Sequence, residues 1–291
     1  MPTNATPRKH LVDAAWLQAH LSDPDLRVLE CTVFLHALPE HGYRAESGRA
    51  AWAAGHIPGS GFADLTDDLC DRSSALNYML PPPDQFAVAM SRLGVGEGTR
   101  VVLYDRAVNM WAARVWWMLR AFGFDEASVL DCGWRTWTAE GRPVSTEPCA
   151  YPAVRFVLTP RPGLFVGKDE VLVALGDGRA CIVNALTEEQ HRGTGGVTYG
   201  RPGRIPGSRN VPAVSLVDPQ THAYLDEDAL RARVTASGAL QADQVITYCG
   251  GGIAASSVAF VLASLGHERV AVYDASLSEW APDPTLPMER D

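Results

Sequence analysis

One cysteine in this sequence stands where a thiol could do chemistry. Cys249 ends the short β-favouring run Val245-Ile246-Thr247-Tyr248 and is followed by Gly250-Gly251-Gly252. The next segment, Ile253 to Leu265, reads as a helix with Gly266 at the position just past its end. A sulfur is thus expected where a strand stops and a loop turns into a helix. Three glycines let the backbone curl tightly with its N–H groups facing inward. The helix N-terminus adds partial positive charge, and in a parallel sheet this edge is where ligands bind. Thiolate, not thiol, is the nucleophile, and amides gathered at a helix start favour it. The same cradle, formed by Gly250, Gly251, Gly252, Ile253 and Ala254, suits the outer sulfur of a persulfide, which is also an anion. The blander alternative is an inert buried cysteine before a glycine turn. Such a residue has no need of three glycines after it.

The elements that position this cysteine occur twice. Gly55-His56-Ile57-Pro58-Gly59-Ser60 returns as Gly203-Arg204-Ile205-Pro206-Gly207-Ser208, and Val101 to Asp105 returns as Val245 to Cys249. A helix with Leu119 and Gly123 has a partner with Leu262 and Gly266, and Asp131 and Trp137 return as Asp274 and Trp280. The offsets run from 143 to 148 residues, in the same order each time, which makes two related halves. Each half opens with a helix, Ala14 to Leu21 capped by Asp13 and Val171 to Leu175 after Lys168-Asp169. Each continues with a short strand, Leu26 to Leu29 or Ala180 to Val183, and then alternates helices with buried strands. The expected fold class is α/β, two tandem domains, each a parallel sheet with helices on both faces. The expected division is 1–147, a linker at 148–163, and 164–291. The proline-rich run from Arg142 to Gly163 reads as extended chain across the surface.

Bulk properties narrow the function. The chain has 291 residues, 46% hydrophobic and 20% charged, and a net charge of −9, so a concentrated basic face for nucleic acid is not expected. No apolar run approaches the ~20 residues that cross a bilayer. The opening ten residues are polar and proline-broken, unlike a secretory signal. Six cysteines, at 31, 70, 132, 149, 181 and 249, show neither CxxC spacing nor a histidine pair at metal-ligand distance. Reduced thiols, a cytoplasmic setting and no metal or other cofactor are expected. The five cysteines other than Cys249 read as small buried hydrophobes.

Cys-Gly-Gly-Gly-Ile-Ala before a helix resembles the active-site loop of the rhodanese sulfurtransferases. The resemblance also covers the Gly-His-Ile-Pro-Gly turn at 55–59, Tyr78-Met79-Leu80-Pro81, Trp111-Ala112-Ala113-Arg114, and Tyr273-Asp274-Ala275-Ser276-Leu277-Ser278-Glu279-Trp280. Together these resemble the tandem-domain thiosulfate and mercaptopyruvate members. The resemblance implies a two-step transfer. Cys249 takes the outer sulfur of a small anionic donor and becomes a persulfide, and a thiophilic acceptor such as cyanide, a thiol or a protein removes it. It also implies an inactive N-terminal half, because Asp105 stands where Cys249 stands in the second half, and a carboxylate cannot carry sulfane sulfur. That half is expected to serve as scaffold and cleft wall.

By the same resemblance, Gln190-His191-Arg192-Gly193 is similar to the segment that supplies an active-site arginine, so Arg192 is expected to hold an anionic donor. Arg201 and Arg204 are further candidates near the second Gly-x-Ile-Pro-Gly turn. The alternative for such arginines is pairing with Glu188 and Glu189. Two family features are changed. Asn184-Ala185-Leu186 replaces an Asp-x-Arg ion pair, and Arg204 replaces the histidine that His56 retains in the first half, where a structural role is expected. The loop is uncharged, as in mercaptopyruvate enzymes. Yet the serine, histidine and aspartate of the animal-type relay read Gly250, Tyr78 and Asp64 here, so that relay cannot form, and Asp64 reads as a surface or turn residue. With charge from Arg192 and its neighbours, thiosulfate is the expected donor, ahead of 3-mercaptopyruvate.

Two other functions compete. A phosphatase built on a cysteine at a strand–loop–helix junction needs an arginine six positions on. Position 255 is Ala, and no arginine occurs between Cys249 and Arg269. A persulfide carrier that delivers sulfur to a protein acceptor with little turnover shares every residue named above, and turnover separates it from the enzyme.

Overall fold

The computed structural model describes residues 10–39, 42–178 and 180–291; the opening segment, residues 1–9, lies outside the described residues. The first half runs β1 (Leu11–Val12), α1 (Ala14–His20), β2 (Leu26–Glu30), β3 (Val33–Ala37), β4 (Tyr43–Ser47), α2 (Arg49–Ala54), β5 (Gly61–Phe62), α3 (Pro83–Arg92), β6 (Arg100–Tyr104), α4 (Met110–Ala121), β7 (Ala127–Leu130) and α5 (Gly133–Ala139). The second runs β8 (Phe165–Val166), α6 (Lys168–Asp177), β9 (Ala180–Asn184), α7 (Glu188–Arg192), β10 (Arg209–Asn210), α8 (Glu227–Ala236), β11 (Gln244–Tyr248), α9 (Ile253–Ser264), β12 (Val270–Tyr273) and α10 (Ser276–Trp280).

Both sheets have five parallel strands in the same spatial order. The first is β1-β7-β6-β2-β5 and the second, read from the matching edge, β8-β12-β11-β9-β10. β6 and β11 are central, and every residue of Val245–Tyr248 is buried, as expected of a strand covered on both faces. In register, Tyr248 pairs with Asn184 and Thr247 with Val272, so Cys249 emerges at the carboxyl edge of the sheet.

The α4 and α9 helices explain why two halves make one body. Each follows a central strand, and each is buried on nearly all sides, the signature of a helix without a solvent face. They pack against each other, with Trp116 and Phe260 edge to face at 4.9 Å between ring centres. Ala-rich positions in α9 allow this close approach.

Most sequence expectations match these elements within a residue or two. Asp13 caps α1 by accepting the Trp16 N–H at 2.7 Å. Gly266 sits just beyond α9 with φ +91°. The α6 helix starts earlier than expected, at Lys168, because Glu170 Oε2 accepts the Gly167 N–H at 3.1 Å. The antiparallel pair β3–β4 is absent from the sequence reading; it stands apart from the main sheet, with Phe34, His36, Arg44 and Glu46 on an exposed face and Val33, Leu35, Tyr43 and Ala45 on a covered one. The chain after Arg142 is extended, but it is strapped down rather than loose. Tyr151 donates its hydroxyl to Gly59 O at 2.6 Å and accepts the Val28 N–H at 2.9 Å, and Phe156 is buried. His56 has the expected structural role: it is buried, stacked on Trp52, with ring nitrogens on Trp52 O and Glu147 O. Asp64 departs from a surface reading. It sits in a turn, taking the Thr66 N–H, but Ser47 and Arg49 cover it and leave it buried.

Candidate active site

Cys249 is 2% exposed, yet it is not sealed in. Its loop floors a cavity of about 670 Å³ between the halves. The second half contributes Cys249, Gly250, Gly251, Ile253, Ala254, Leu186, Thr187, Gln190, Tyr199, Val214 and Ser278 to the wall. The first half contributes Leu35, Leu38, Tyr43, Asn77, Tyr78, Val108 and Met110. It therefore forms a wall of the cleft, as expected. Among the described residues, no charged side chain lines this cavity.

The loop is tied from below by Ser276. Its Oγ accepts the N–H of Cys249 at 3.0 Å and of Gly252 at 3.2 Å, and donates to Tyr273 O at 2.7 Å. Ser278 Oγ donates to Gly250 O at 2.7 Å. Gly252 caps α9 in the left-handed region, φ +76°, with no room for a side chain against Asp274 and Arg114. The N–H groups of Gly250, Gly251, Ile253, Ala254 and Ala255 are given to no oxygen among the described residues. They are the free donors of the loop and first helical turn.

The first half shows what such donors do when an anion is present. Asp105 follows β6 as Cys249 follows β11, and its loop also ends in a left-handed cap, Asn109, before α4. Asp105 Oδ1 accepts the N–H of Ala107 and Asn109 at 2.8 and 3.1 Å; Oδ2 accepts those of Trp111 and Ala112 at 2.9 and 3.0 Å. Burial raises the Asp105 carboxyl above its ordinary range, and the four bonds oppose that rise without cancelling it. Four donors converging on two oxygens describe an acceptor-only carboxylate. Trp111 and Ala112 are the second and third residues of α4; Ala254 and Ala255 are the second and third of α9.

The arginines are placed differently from the expectation. Arg192, 52% exposed, pairs with Glu188 one helical turn away and with Asp291. It turns from the cavity, and the pairing alternative is what the structure shows. Arg201 donates to the carbonyls of Ala281, Trp280 and Asp283. Arg204 is held by Glu289 and Asp291 beside the bridge between Arg204 and Glu289. The acidic C-terminal segment captures two of the three, and backbone carbonyls the third. The cradle residues Gly250, Gly251, Ile253 and Ala254 do line the cavity beside Cys249, and Gly252 caps the helix behind them.

Several site residues carried no readable signal. Ser276 and Ser278 fall inside a motif quoted for its resemblance, but their role as ties of the loop depends on a left-handed turn at Ser276, φ +52°. Tyr199 is another. Its ring lies so close over Gly250 that a Cβ there would run into its Cζ and Oη.

Comparison with known proteins agrees with this architecture. The rhodanese-like domain family matches residues 13–140 and again 168–283. The chain is a tandem-domain rhodanese sulfurtransferase. Among curated rhodanese relatives it is 33% identical to the 3-mercaptopyruvate sulfurtransferase of Escherichia coli K12, over 96% of this chain and 97% of that one. It is 30% identical to the sulfur carrier protein TtuD of Thermus thermophilus, over 93% of each chain. The crystal structure of SseA from Escherichia coli, a 3-mercaptopyruvate sulfurtransferase, superposes with a TM-score of 0.80 at 31% identity, covering 93% of this chain and all of that one. No helix among the described residues is long and apolar enough to cross a membrane.

Proposed function

We propose that Cys249 takes the thiol sulfur of 3-mercaptopyruvate in preference to the outer sulfur of thiosulfate, holds it as a persulfide, and yields it to a thiophilic acceptor such as cyanide or a thiol. The observation that carries this reading is the Asp105 carboxylate in the matching loop, a built-in anion held by inward N–H groups. The Cys249 loop has the same left-handed cap and helix start with its amides unspent, and its own acid is a thiol. An anionic sulfur is the group those amides suit. Residues 1–147 are the non-catalytic half, 148–163 the linker and 164–291 the catalytic half.

The transfer balances in two steps. The Cys249 thiolate attacks the sulfur of 3-mercaptopyruvate, an S–S bond forms, and the C–S bond breaks with its electron pair leaving on carbon as the enolate of pyruvate. The enolate takes the persulfide proton, leaving an anionic persulfide and pyruvate. An acceptor then attacks the outer sulfur, and the S–S electron pair returns to Cys249 as thiolate.

The donor preference follows from charge. The expectation of thiosulfate rests on Arg192 and its neighbours, and those side chains are engaged elsewhere. A cavity without charged side chains desolvates a dianion at greater cost than a monoanion. The 3-mercaptopyruvate names of the E. coli relatives point the same way. A second reading, delivery of sulfur to a protein acceptor with little turnover, is favoured by the likeness to a protein named as a sulfur carrier. Steady-state rates with both donors, at saturating acceptor, test both readings. A higher kcat/KM for 3-mercaptopyruvate supports the proposal, a higher value for thiosulfate overturns the donor assignment, and one sulfur loaded without turnover assigns the carrier role.

A further inference from the structure

We infer that the acceptor is a small thiol with an uncharged, apolar body, and that the β3–β4 pair supplies part of the wall that selects it. The inference rests on the reading of Cys249 as the sulfur-bearing residue and names the class of molecule that unloads it. The cavity at Cys249, about 670 Å³, falls in the range that takes a drug-sized ligand. A three-carbon donor fills only a small part of it. Much of the lining is aliphatic, with Leu35, Leu38, Val108 and Met110 from the first half and Leu186 and Val214 from the second. Leu38 and Val214 are 45% and 56% exposed, so apolar surface continues from the cavity to its mouth.

Leu35 and Leu38 come from a part of the chain that the doubled plan does not share. Between β2 and the Gly-His-Ile-Pro-Gly turn the first half has β3, β4 and α2; between β9 and the matching turn the second half has α7 and a loop. The extra pair is anchored across the cleft. The Gly42 N–H donates to Thr198 O of the second half at 2.7 Å, and the Tyr43 and Tyr199 rings lie 6.3 Å apart. The polar side chains of the lining, Asn77, Thr187 and Gln190 among them, are neutral. A carboxylate or ammonium on the acceptor's body would lose its water there with no opposite charge to meet, whereas an alkyl or aryl body gains from burial. In the transfer, the thiol R–SH bonds through its sulfur to the outer sulfur of the persulfide and passes its proton there. The S–S bond to Cys249 breaks, its electron pair stays on Cys249 as thiolate, and R–S–SH leaves.

Two series on the full-length protein test this. In the first, N-alkyl maleimides from methyl to pentyl modify Cys249, read by peptide mass mapping, and each rate is divided by that of a free thiol in solution. The quotient is expected to rise about fourfold per buried methylene. It should lose most of that rise in the double variant Leu38→Ser with Val214→Ser, both at exposed positions. In the second, linear alkanethiols from ethyl to pentyl serve as acceptors for sulfur from 3-mercaptopyruvate, read by pyruvate release. Their kcat/KM should climb with length and pass that of glutathione, whose body is charged. A flat maleimide series, no modification of Cys249 by any member, or an undiminished rise in the double variant overturns the inference. A flat thiol series beside brisk turnover with cyanide overturns the acceptor class and leaves the proposed function standing. The maleimides need no sulfur donor, so a rising series in a protein that releases no pyruvate with any acceptor contradicts the proposed function alone.

Discussion

Arg114, fully buried in the first half, donates from Nη2 to Asp274 Oδ1 of the second half at 2.6 Å, directly behind the Gly252 cap of the cysteine loop. The same Nη2 reaches Tyr78 O, and Asp274 Oδ2 takes the Leu80 N–H at 2.7 Å. The segment around Tyr78 is thereby pinned over the second half's loop. The relation is reciprocal. Asn109 Nδ2 of the first half donates to His222 O at 2.8 Å, and Asp131 Oδ1 takes the Tyr224 N–H at 2.8 Å. Tyr78 and His222 both lie in the left-handed region, φ 63° and 61°. Each half lends one strained segment to cover the other's loop, so the cavity exists only while the halves stay together.

Removing one member of the Arg114–Asp274 pair leaves a buried charge without its partner, which costs about 3–5 kcal/mol. Arg114→Met should therefore lower stability by that order and raise KM, through release of the Tyr78 segment. The double variant Arg114→Met with Asp274→Asn should recover part of the stability. Denaturant unfolding of the three proteins checks this. Equal stability of all three would remove the pair from the account.

Asp105 makes a second stability prediction. Asp105→Ala leaves four inward N–H groups without an acceptor, at an expected cost on the order of 3 kcal/mol. The turnover of the folded fraction should stay close to that of the unsubstituted protein, because the loop lies in the other half. A thermal melt and rates at a temperature well below the melt separate the two effects. A loss of turnover without loss of stability would give the first half a direct part in sulfur transfer.

His191 makes stability depend on pH. Burial, and then the charge of Arg204, lower it from 6.5 to about 4, and its Nδ1 is buried without a hydrogen-bond partner. Between those values the unfolded chain binds a proton that the folded chain refuses. Stability therefore falls as the pH drops from about 6.5 to about 4, and this contribution is constant below that range. His191→Gln removes the effect. Its stability, measured at pH 7 and pH 4.5, should differ less between the two than that of the unsubstituted protein. An unchanged difference would assign the acid limb to other groups.

What was legible in the sequence was local. A β-favouring run, three glycines and an apolar helix fix the surroundings of Cys249 through backbone preferences that act over a few residues, and β11 and α9 appear where those preferences put them. The doubled motifs marked the same succession of elements in the two halves, while the spatial order of the strands is seen only in the structure. The arginines were not legible, because their partners are remote or share their own helix. Arg192 and Arg204 meet Asp291 at the chain end, and Arg201 meets carbonyls some eighty residues on. Tyr199 was missed for the same cause, since its place over Gly250 is set by a loop whose anchors come from three separate segments. The β3–β4 pair was missed because its covered face is split between two short runs, Val33 and Leu35 on one and Tyr43 and Ala45 on the other, that pair only with each other.

The central claim is that sulfur travels on Cys249. Intact mass before and after exposure to 3-mercaptopyruvate, without acceptor, tests it most directly, followed by peptide mapping of the loaded protein. One added sulfur atom is expected, located on the peptide that contains Cys249, discharged by cyanide, and missing from a folded Cys249→Ser variant. An added sulfur on another cysteine, or full loading of the serine variant, would contradict the account.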